Sequence, residues 1–187
     1  MSFLSQNQIE DLGIIHGTNV LISDKCSIYG TDIKIGNNVR IDDFTILSGK
    51  ITLGNNIHIG AYCAIYGKFG IVMEDYTGLS PRCTIFSASD DFSGNYLISP
   101  MNPEKYTNVQ GYQVTLKKYV QIGSGTVIMP DLTINEGAAI GAMSFVKDSI
   151  PKFQIWAGNP LRFIKTRRTE MVKFAKQLEN ELQHTIR

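Results

Sequence analysis

Residues 35–76 read IGNNVRIDDFTILSGKITLGNNIHIGAYCAIYGKFGIVMEDY, and their spacing decides the fold class. Counted in sixes from Ile35, the run puts Ile41, Leu47, Leu53, Ile59, Ile65 and Ile71 on the count. Four residues after successive members come Val39, Thr45, Ile51, Ile57, Cys63 and Phe69. A helix repeats near 3.6 residues and a half-buried strand near 2. A period of six belongs instead to a solenoid of short strands and tight turns. Each aliphatic then points into the coil and stacks on its equivalent one coil away. The spacing therefore predicts Ile35, Leu53 and Ile71 on one face. Gly36-Asn37-Asn38 and Gly54-Asn55-Asn56 supply residues that accept the positive backbone angles of a sharp bend.

The same count returns at Leu116, Ile122, Ile128, Ile134, Ile140 and Val146, with Val120, Thr126, Leu132, Ala138, Ser144 and Ile150 as fourth-position partners. A sandwich of short strands is the plainer alternative, but it does not require a strict six-residue count. One extra residue near Thr31-Asp32 shifts the frame, and after Ile71 the count slips by two before Leu79 and Ile85 continue it. Residues 86–113, FSASDDFSGNYLISPMNPEKYTNVQGYQ, have no such count. A loop this long inside a regular solenoid is usually functional or disordered. Its aromatics, Phe92, Tyr96, Tyr106 and Tyr112, argue against plain disorder.

The N-terminal end carries a plug. Ser5 and Gln8 form a capping box, Ile9 and Leu12 an apolar face, and Gly13 a helix stop. A small helix covering the first coil is expected, because a stacked solenoid otherwise exposes a layer of core. Residues 165–183 show helical spacing, with Met171, Phe174, Leu178 and Leu182 as a stripe. The stripe packs either on its own core or on a neighbouring subunit. At 187 residues the chain is one domain's worth. Its expected parts are an N-terminal cap (1–13), coils (14–155) and a C-terminal tail with a helix (156–187).

Composition excludes several classes. A net charge of +1 gives no reason to expect nucleic acid as a partner. Cys26, Cys63 and Cys83 lack metal-type spacing, and buried free thiols in a reducing cytosol are the expectation. The N-terminus lacks the basic start and apolar core of a signal peptide. No apolar stretch approaches the roughly 20 residues of a membrane span. A cytoplasmic protein without a bound metal follows.

The hexapeptide pattern resembles the left-handed parallel β-helix acyltransferases, all-β proteins in which three hexapeptides make a triangular coil. The hand is implied by the resemblance alone, since parallel crossovers in general favour the right hand. The likeness spans most of the chain. Residues 122–165, IGSGTVIMPDLTINEGAAIGAMSFVKDSIPKFQIWAGNPLRFIK, are similar to the last coils of galactoside and maltose acetyltransferases. The match includes their closing A-G-x-P-x-R element, Ala157 to Arg162. The resemblance implies acetyl-CoA as co-substrate, lying along these coils between two subunits of a homotrimer. It points to Ser124 and Ala142 for the pantetheine amides and to Lys147, Arg162 and Lys165 for the phosphates. Lys and Arg are the residues that phosphate recognition requires. Trp156 either stacks on adenine or is buried at the solenoid's end.

Those transferases carry a histidine general base just after the coil that matches Ser80-Pro81-Arg82-Cys83-Thr84-Ile85. Here that place falls on Asp90, and the whole excursion lacks histidine. An amine needs less help than a hydroxyl, so a carboxylate at Asp90 or Asp91 fits N-acylation of an amino sugar. An ordinary solvated turn at Asp90-Asp91 is the other reading. Arg82 suits the phosphate of a nucleotide-linked sugar, or is simply solvated. Tyr96 and Asn108 are further candidates for binding that sugar. The segments NVLISDKCSIYG, IGNNVRIDDFTILSG and SASDDFSGNYL resemble the short acyltransferases of O-antigen and capsule clusters, which act on sugars such as dTDP-4-amino-4,6-dideoxyglucose. Surface polysaccharide (lipopolysaccharide) biosynthesis is the implied setting.

The competing enzyme reading is O-acetylation of a sugar hydroxyl, with His58 supplied by a neighbouring subunit as base. A γ-type carbonic anhydrase would need three clustered histidines, but His16, His58 and His184 are scattered. An ice-binding scaffold would need outward threonine ladders, and Arg40, Thr52, His58 and Ala64 are mixed.

Overall fold

A computed structural model describes residues 2–185. The chain winds as a left-handed parallel β-helix of about seven coils. Each coil has three faces. Val20–Ile22, Val39–Ile41, Ile57–Ile59, Gly78–Leu79, Gln121–Ile122, Ala139–Ile140 and Gln154–Ala157 stack in parallel as face one. Three long strands, Ser27–Ile35, Ile46–Leu53 and Ala64–Met73, bend to supply both face two and face three. Higher up, Thr84–Phe86, Val127–Ile128 and Phe145–Val146 continue face two. Val114–Leu116 and Thr133–Ile134 continue face three.

The six-residue count marks the core. Leu47, Ile51, Ile59, Ile65, Ile122, Ile128 and Ile134 are all fully buried, each contributing about 1.5–3 kcal/mol against exposure. One stack differs from expectation. Ile35 pairs with Leu53, but Leu53 pairs with Met73, and Ile71 pairs with Ile51. The two extra residues thus enter before Ile71, at the bend around Gly67–Gly70. That bend also pushes Phe69 out to 42% exposure, where the count predicts an inward residue. The single insertion near Thr31-Asp32 lies where the register shifts, between Tyr29 and Asp32.

Each corner has its own chemistry. At corner one, between faces one and two, the inward fourth-position residues satisfy carbonyls of the bend. Thr45 Oγ1 donates to Gly60 O at 3.3 Å, Cys63 Sγ to Ser80 O at 3.3 Å, Cys83 Sγ to Gly123 O at 3.2 Å and Thr126 Oγ1 to Gly141 O at 3.2 Å. Small polar residues on the count are therefore corner braces. The outward residues there, Phe44, Tyr62, Arg82 and Met143, hold φ of 60°, 61°, 64° and 57°. Left-handed backbone costs an L-residue roughly 1–2 kcal/mol. Corner three, between faces three and one, meets that cost with Asn38 and Asn56 in its lower coils and bears it again at Tyr76 and Tyr119 above, at φ of 60° and 65°. Asn55 Oδ1 accepts the Asn37 N–H at 2.8 Å, and Asp75 Oδ1 accepts the Asn55 N–H at 2.8 Å. Corner two, between faces two and three, is where the excursion leaves.

The capping box at Ser5 and Gln8 is present on helix α1 (Gln6–Asp11), and Ile9 plugs the core. At the other end Arg162–Thr166 pairs antiparallel with Gln154–Ala157. Helix α2 runs from Glu170 to Thr185, so residues 165–169, expected as helix, are strand and connection. The hairpin's ladder bonds claim Lys165 and Thr166. Ala175 is buried on α2, while Phe174 and Leu178 are 67% and 41% exposed. The stripe is mostly uncovered in a single chain.

Candidate active site

The excursion is an ordered lobe on corner two. Its root is fixed by Ser87, fully buried, whose hydroxyl donates to Tyr66 O at 3.1 Å and accepts the Phe69 N–H at 2.9 Å. The two limbs then pair antiparallel through Ser89 and Gln110, at 2.7 and 2.9 Å. The returning Gly111 passes so close that a Cβ there would lie 2.1 Å from Ser87 O. Asp91 closes the lobe. Its carboxylate accepts the Ser93 N–H at 2.6 Å, the Ser93 hydroxyl, and Asn108 Nδ2 at 3.1 Å. The Ser93 hydroxyl bond, then Asn108, hold the Asp91 carboxyl below the ordinary carboxylate range.

Beneath the lobe lies a cleft of about 510 Å³, lined by Tyr66, Lys68, Ser89, Asp90, Asn102 and Glu104 among others. Asp90 is half-buried in its wall, and among the described residues no hydrogen bond or ion pair occupies its carboxylate. Lys68 is the cation on the same lining. Tyr66 and Phe86 stack at 5.3 Å behind it. Of the sequence candidates, Asp90 is in the cleft, while Asp91 and Asn108 brace each other beside it. Tyr96 is exposed on the lobe and does not line the cleft. Tyr66, Lys68 and Glu104 escaped sequence reasoning. They have no motif and meet Asp90 only because the lobe folds back on corner two.

The coenzyme candidates gather on the upper coils. Ser124 and Ala142 are exposed on corner one, one coil apart, and Ser124 O accepts the Met143 N–H at 2.8 Å. The approach is tight: a Cβ on Gly123 would lie 2.5 Å from Ala142 N. Lys147 lines a cleft of about 300 Å³ with Phe145, Asp148, Asn159, Pro160 and Leu161, next to the closing element. Arg162 and Lys165 stand exposed on the last strand, without ion-pair partners among the described residues. Trp156 packs partly buried on the core, edge-on to Phe163 at 5.8 Å, and its Nε1 donates to Gln154 Oε1 at 2.9 Å. Its place is the solenoid's end.

Arg82 stands on corner one and Asp90 at corner two, so one chain does not bring them together. His58 faces outward as expected, on face one. Its Nε2 sits 2.8 Å from Asp42 Oδ2, and Arg40 Nε donates to Asp42 Oδ1 at 2.8 Å. Burial alone would raise the Asp42 carboxyl, but the bonds from Arg40 and His58 outweigh it and hold it below the usual range. The His184 side chain lies outside the described residues. No group of acids, cysteines and histidines among the described residues has metal-site geometry. No helix among them is long and apolar enough to cross a membrane.

No family model matches the chain. The dTDP-4-amino-4,6-dideoxy-D-glucose acyltransferase of Escherichia coli is 42% identical over 178 residues, 92% of this chain and 93% of that one. AntD, an N-acyltransferase from Bacillus cereus solved with dTDP and 3-hydroxybutyryl-CoA, superposes with a TM-score of 0.94 at 47% identity, covering 97% of this chain and 98% of AntD. An AntD variant holding dTDP-4-amino-4,6-dideoxyglucose and coenzyme A gives 0.90 at 48% identity, with 98% of each chain covered. Sequence and fold agree over nearly the whole length, and the chain therefore belongs to the left-handed β-helix, hexapeptide-repeat acyltransferases, in the group of the dTDP-4-amino-4,6-dideoxyglucose acyltransferases.

Proposed function

We propose that this enzyme transfers an acetyl group from acetyl-CoA to the amine of a dTDP-linked amino-deoxy sugar used in surface polysaccharide synthesis. The observation that carries the reading is the full-length likeness to AntD, whose structures hold a dTDP amino sugar and coenzyme A. The amine nitrogen attacks the thioester carbonyl, the N–C bond forms, the C–S bond breaks and the coenzyme leaves as its thiolate. One proton must leave the attacking nitrogen. Asp90 is the group we assign to hold the ammonium and take that proton, directly or through water. AntD has been solved with one serine and one aspartate replaced in turn, separated along its chain by the interval that separates Ser80 from Asp90 here.

Ser80 and Arg82 belong to corner one, and Asp90 to corner two. A site using both takes them from two copies, which supports a homotrimer with shared sites. On the coenzyme side Ser124 and Ala142 would meet the pantetheine arm, and Lys147, Arg162 and Lys165 the phosphates. Three free cysteines, with Cys63 and Cys83 buried and unbridged, suit a reducing cytosol. The test is thiol release from acetyl-CoA and 3-hydroxybutyryl-CoA against dTDP-linked amino sugars and simple glycosides. Turnover with acetyl-CoA and the amino sugars is expected. Turnover only with glycosides ends the reading, and a preference for 3-hydroxybutyryl-CoA replaces the donor.

A further inference from the structure

Corner one is braced from inside by a column of donors, and two neighbouring rungs of it are cysteines. The rungs below and above the pair, Thr45 and Thr126, use hydroxyls for the same task. A thiol is the weaker donor, so bracing alone does not call for sulfur on consecutive coils. Cys63 and Cys83 are 1% and 0% exposed and unbridged, and the reaction described above uses neither.

Their placement suits chemistry between them. Ala64 pairs with Thr84 and its N–H donates to Cys83 O at 2.9 Å, so the two cysteines are in register on adjacent coils. Parallel neighbours sit about 4.7–4.9 Å apart, within the roughly 4.4–6.8 Å between Cα atoms that a disulfide spans. The two sulfurs also bond to each other, which raises the Cys63 thiol and lowers the Cys83 thiol. As thiols they hold Ser80 O and Gly123 O, at 3.3 and 3.2 Å. As a disulfide they would hold neither, because no S–H remains. Closure also draws the Cβ atoms to about 3.8 Å, closer than the spacing of relaxed coils. Ser80 and the Gly123–Ser124 bend, proposed above for the acceptor and the coenzyme, take up both changes.

We propose that Cys63 and Cys83 form a redox switch: a peroxide closes them into a disulfide that loosens corner one and stops acyl transfer, and a dithiol reductant reopens it. The Cys83 thiolate attacks one oxygen of hydrogen peroxide and the O–O bond breaks. The departing hydroxide takes the proton that Cys83 gave up and leaves as water, and Cys83 becomes a sulfenic acid. The Cys63 sulfur then attacks the Cys83 sulfur. The S–S bond forms, the S–O bond breaks, and the hydroxide leaves with the Cys63 proton as a second water. The thiols lose two electrons and the peroxide gains them. Burial confines the reaction to a small neutral oxidant that enters when the corner opens. Disulfides of cytosolic proteins are usually of this transient kind, and strained ones are readily reduced.

The test treats the full chain with hydrogen peroxide, removes the peroxide, and follows intact mass, peptide mapping, amide exchange and thiol release from acetyl-CoA with a dTDP amino sugar. The mass should fall by two hydrogens, with one disulfide linking the peptides of Cys63 and Cys83. The Arg82 and Gly125 amides donate to Ala61 O and Pro81 O across corner one. Their exchange should quicken, and turnover should fall, each by about tenfold or more. Dithiothreitol, itself then removed, should restore both. Cys63→Thr and Cys83→Thr copy the neighbouring rungs, so each should turn over substrate as the parent does and ignore peroxide. Cys26→Ser should stay sensitive. A folded parent that forms no such linkage overturns the proposal. A linkage that leaves exchange and turnover unchanged also overturns it, as does peroxide sensitivity that persists in Cys83→Thr. If the reduced parent does not turn over a dTDP amino sugar, the functional reading fails, while mass and amide exchange still decide the switch.

Discussion

The Asp91 carboxylate accepts bonds from Ser93 and Asn108, whereas that of Asp90 accepts none among the described residues. A carboxylate already spent on its own loop is a poor proton acceptor for a substrate. Asp90→Asn should therefore lower kcat by roughly 10²-fold or more and leave the KM for the acyl-CoA near its parent value. Asp91→Asn should act differently, raising the KM for the sugar and lowering protection of lobe amides from hydrogen exchange. Full activity in Asp90→Asn alongside a dead Asp91→Asn would reverse these roles. A second residue-scale expectation concerns Thr77, whose buried hydroxyl has no partner among the described residues. The residue one coil below it on the column is Ile57, since His58 pairs with Gly78. Thr77→Val removes an orphaned polar atom at nearly constant volume. It should stabilise by about 1 kcal/mol or more, which for a chain this size is about 2–4 °C in Tm. A lower Tm would mean that the hydroxyl has a bound water the protein needs.

At the scale of elements, the coils were legible because inward stacking imposes one period on many residues at once. Val120, Thr126, Leu132, Ala138, Ser144 and Ile150 are all buried as the count requires. The count failed where period and turn length separate. Ile71 fell on the count by chance while the chain had already gained two residues at Gly67–Gly70, so Met73 took its stack. The lobe was recognisable by its length and aromatics as more than a plain disordered loop, but its internal wiring was not. Ser87, Ser89 and Gly111 act through contacts between distant limbs, and spacing says nothing of those. The stacking of Phe44 on Tyr62 was also hidden, because the count reads inward residues and these face out. The wiring predicts a specific weakness. Ser87→Ala leaves the Phe69 N–H without its partner at the root of the lobe. It should cost about 1–3 kcal/mol and speed exchange of the Phe69 amide, while amides of the lower coils stay protected. Uniform exchange across the coils would mean that the lobe and the helix unfold as one unit.

At the scale of the whole molecule, acid stability follows from carboxylates spread over the corners. At Asp75, burial raises the carboxyl, but bonds from Asn55 and Lys118 outweigh it and hold it low, as Arg40 and His58 do for Asp42. A carboxyl whose folded pKa lies below its unfolded value near 3.9 stabilises the fold above that pH. That contribution is lost as pH falls through the folded value. The urea midpoint should hold steady from neutrality to about pH 5 and fall below pH 4. A midpoint that climbs on acidification would contradict these pairings.

Assembly is the remaining consequence of the whole molecule. One chain carries the cleft around Asp90 at corner two, proposed above for the acceptor, and the surface at Ser124 and Ala142 on corner one, proposed above for the coenzyme. It also leaves Phe174 and Leu178 of α2 open beside a hollow of about 280 Å³ walled by the stacked Tyr76 and Tyr119. An apolar helix face over an aromatic hollow is a costly surface to leave in water. Cyclic closure of three copies would cover such faces and join the two half-sites at each contact. The wild-type chain should thus scatter light as about three times 20.8 kDa. Phe174→Glu combined with Leu178→Glu should scatter as one, because a charge cannot be buried there unpaired. Its β-sheet circular dichroism should persist, since the coils stack within a chain, but thiol release should fall to background. The double variant remaining fully active as a monomer would show that each chain completes its own site. A wild-type monomer under assay conditions would remove the shared site altogether, and with it any meeting of Asp90 with Arg82.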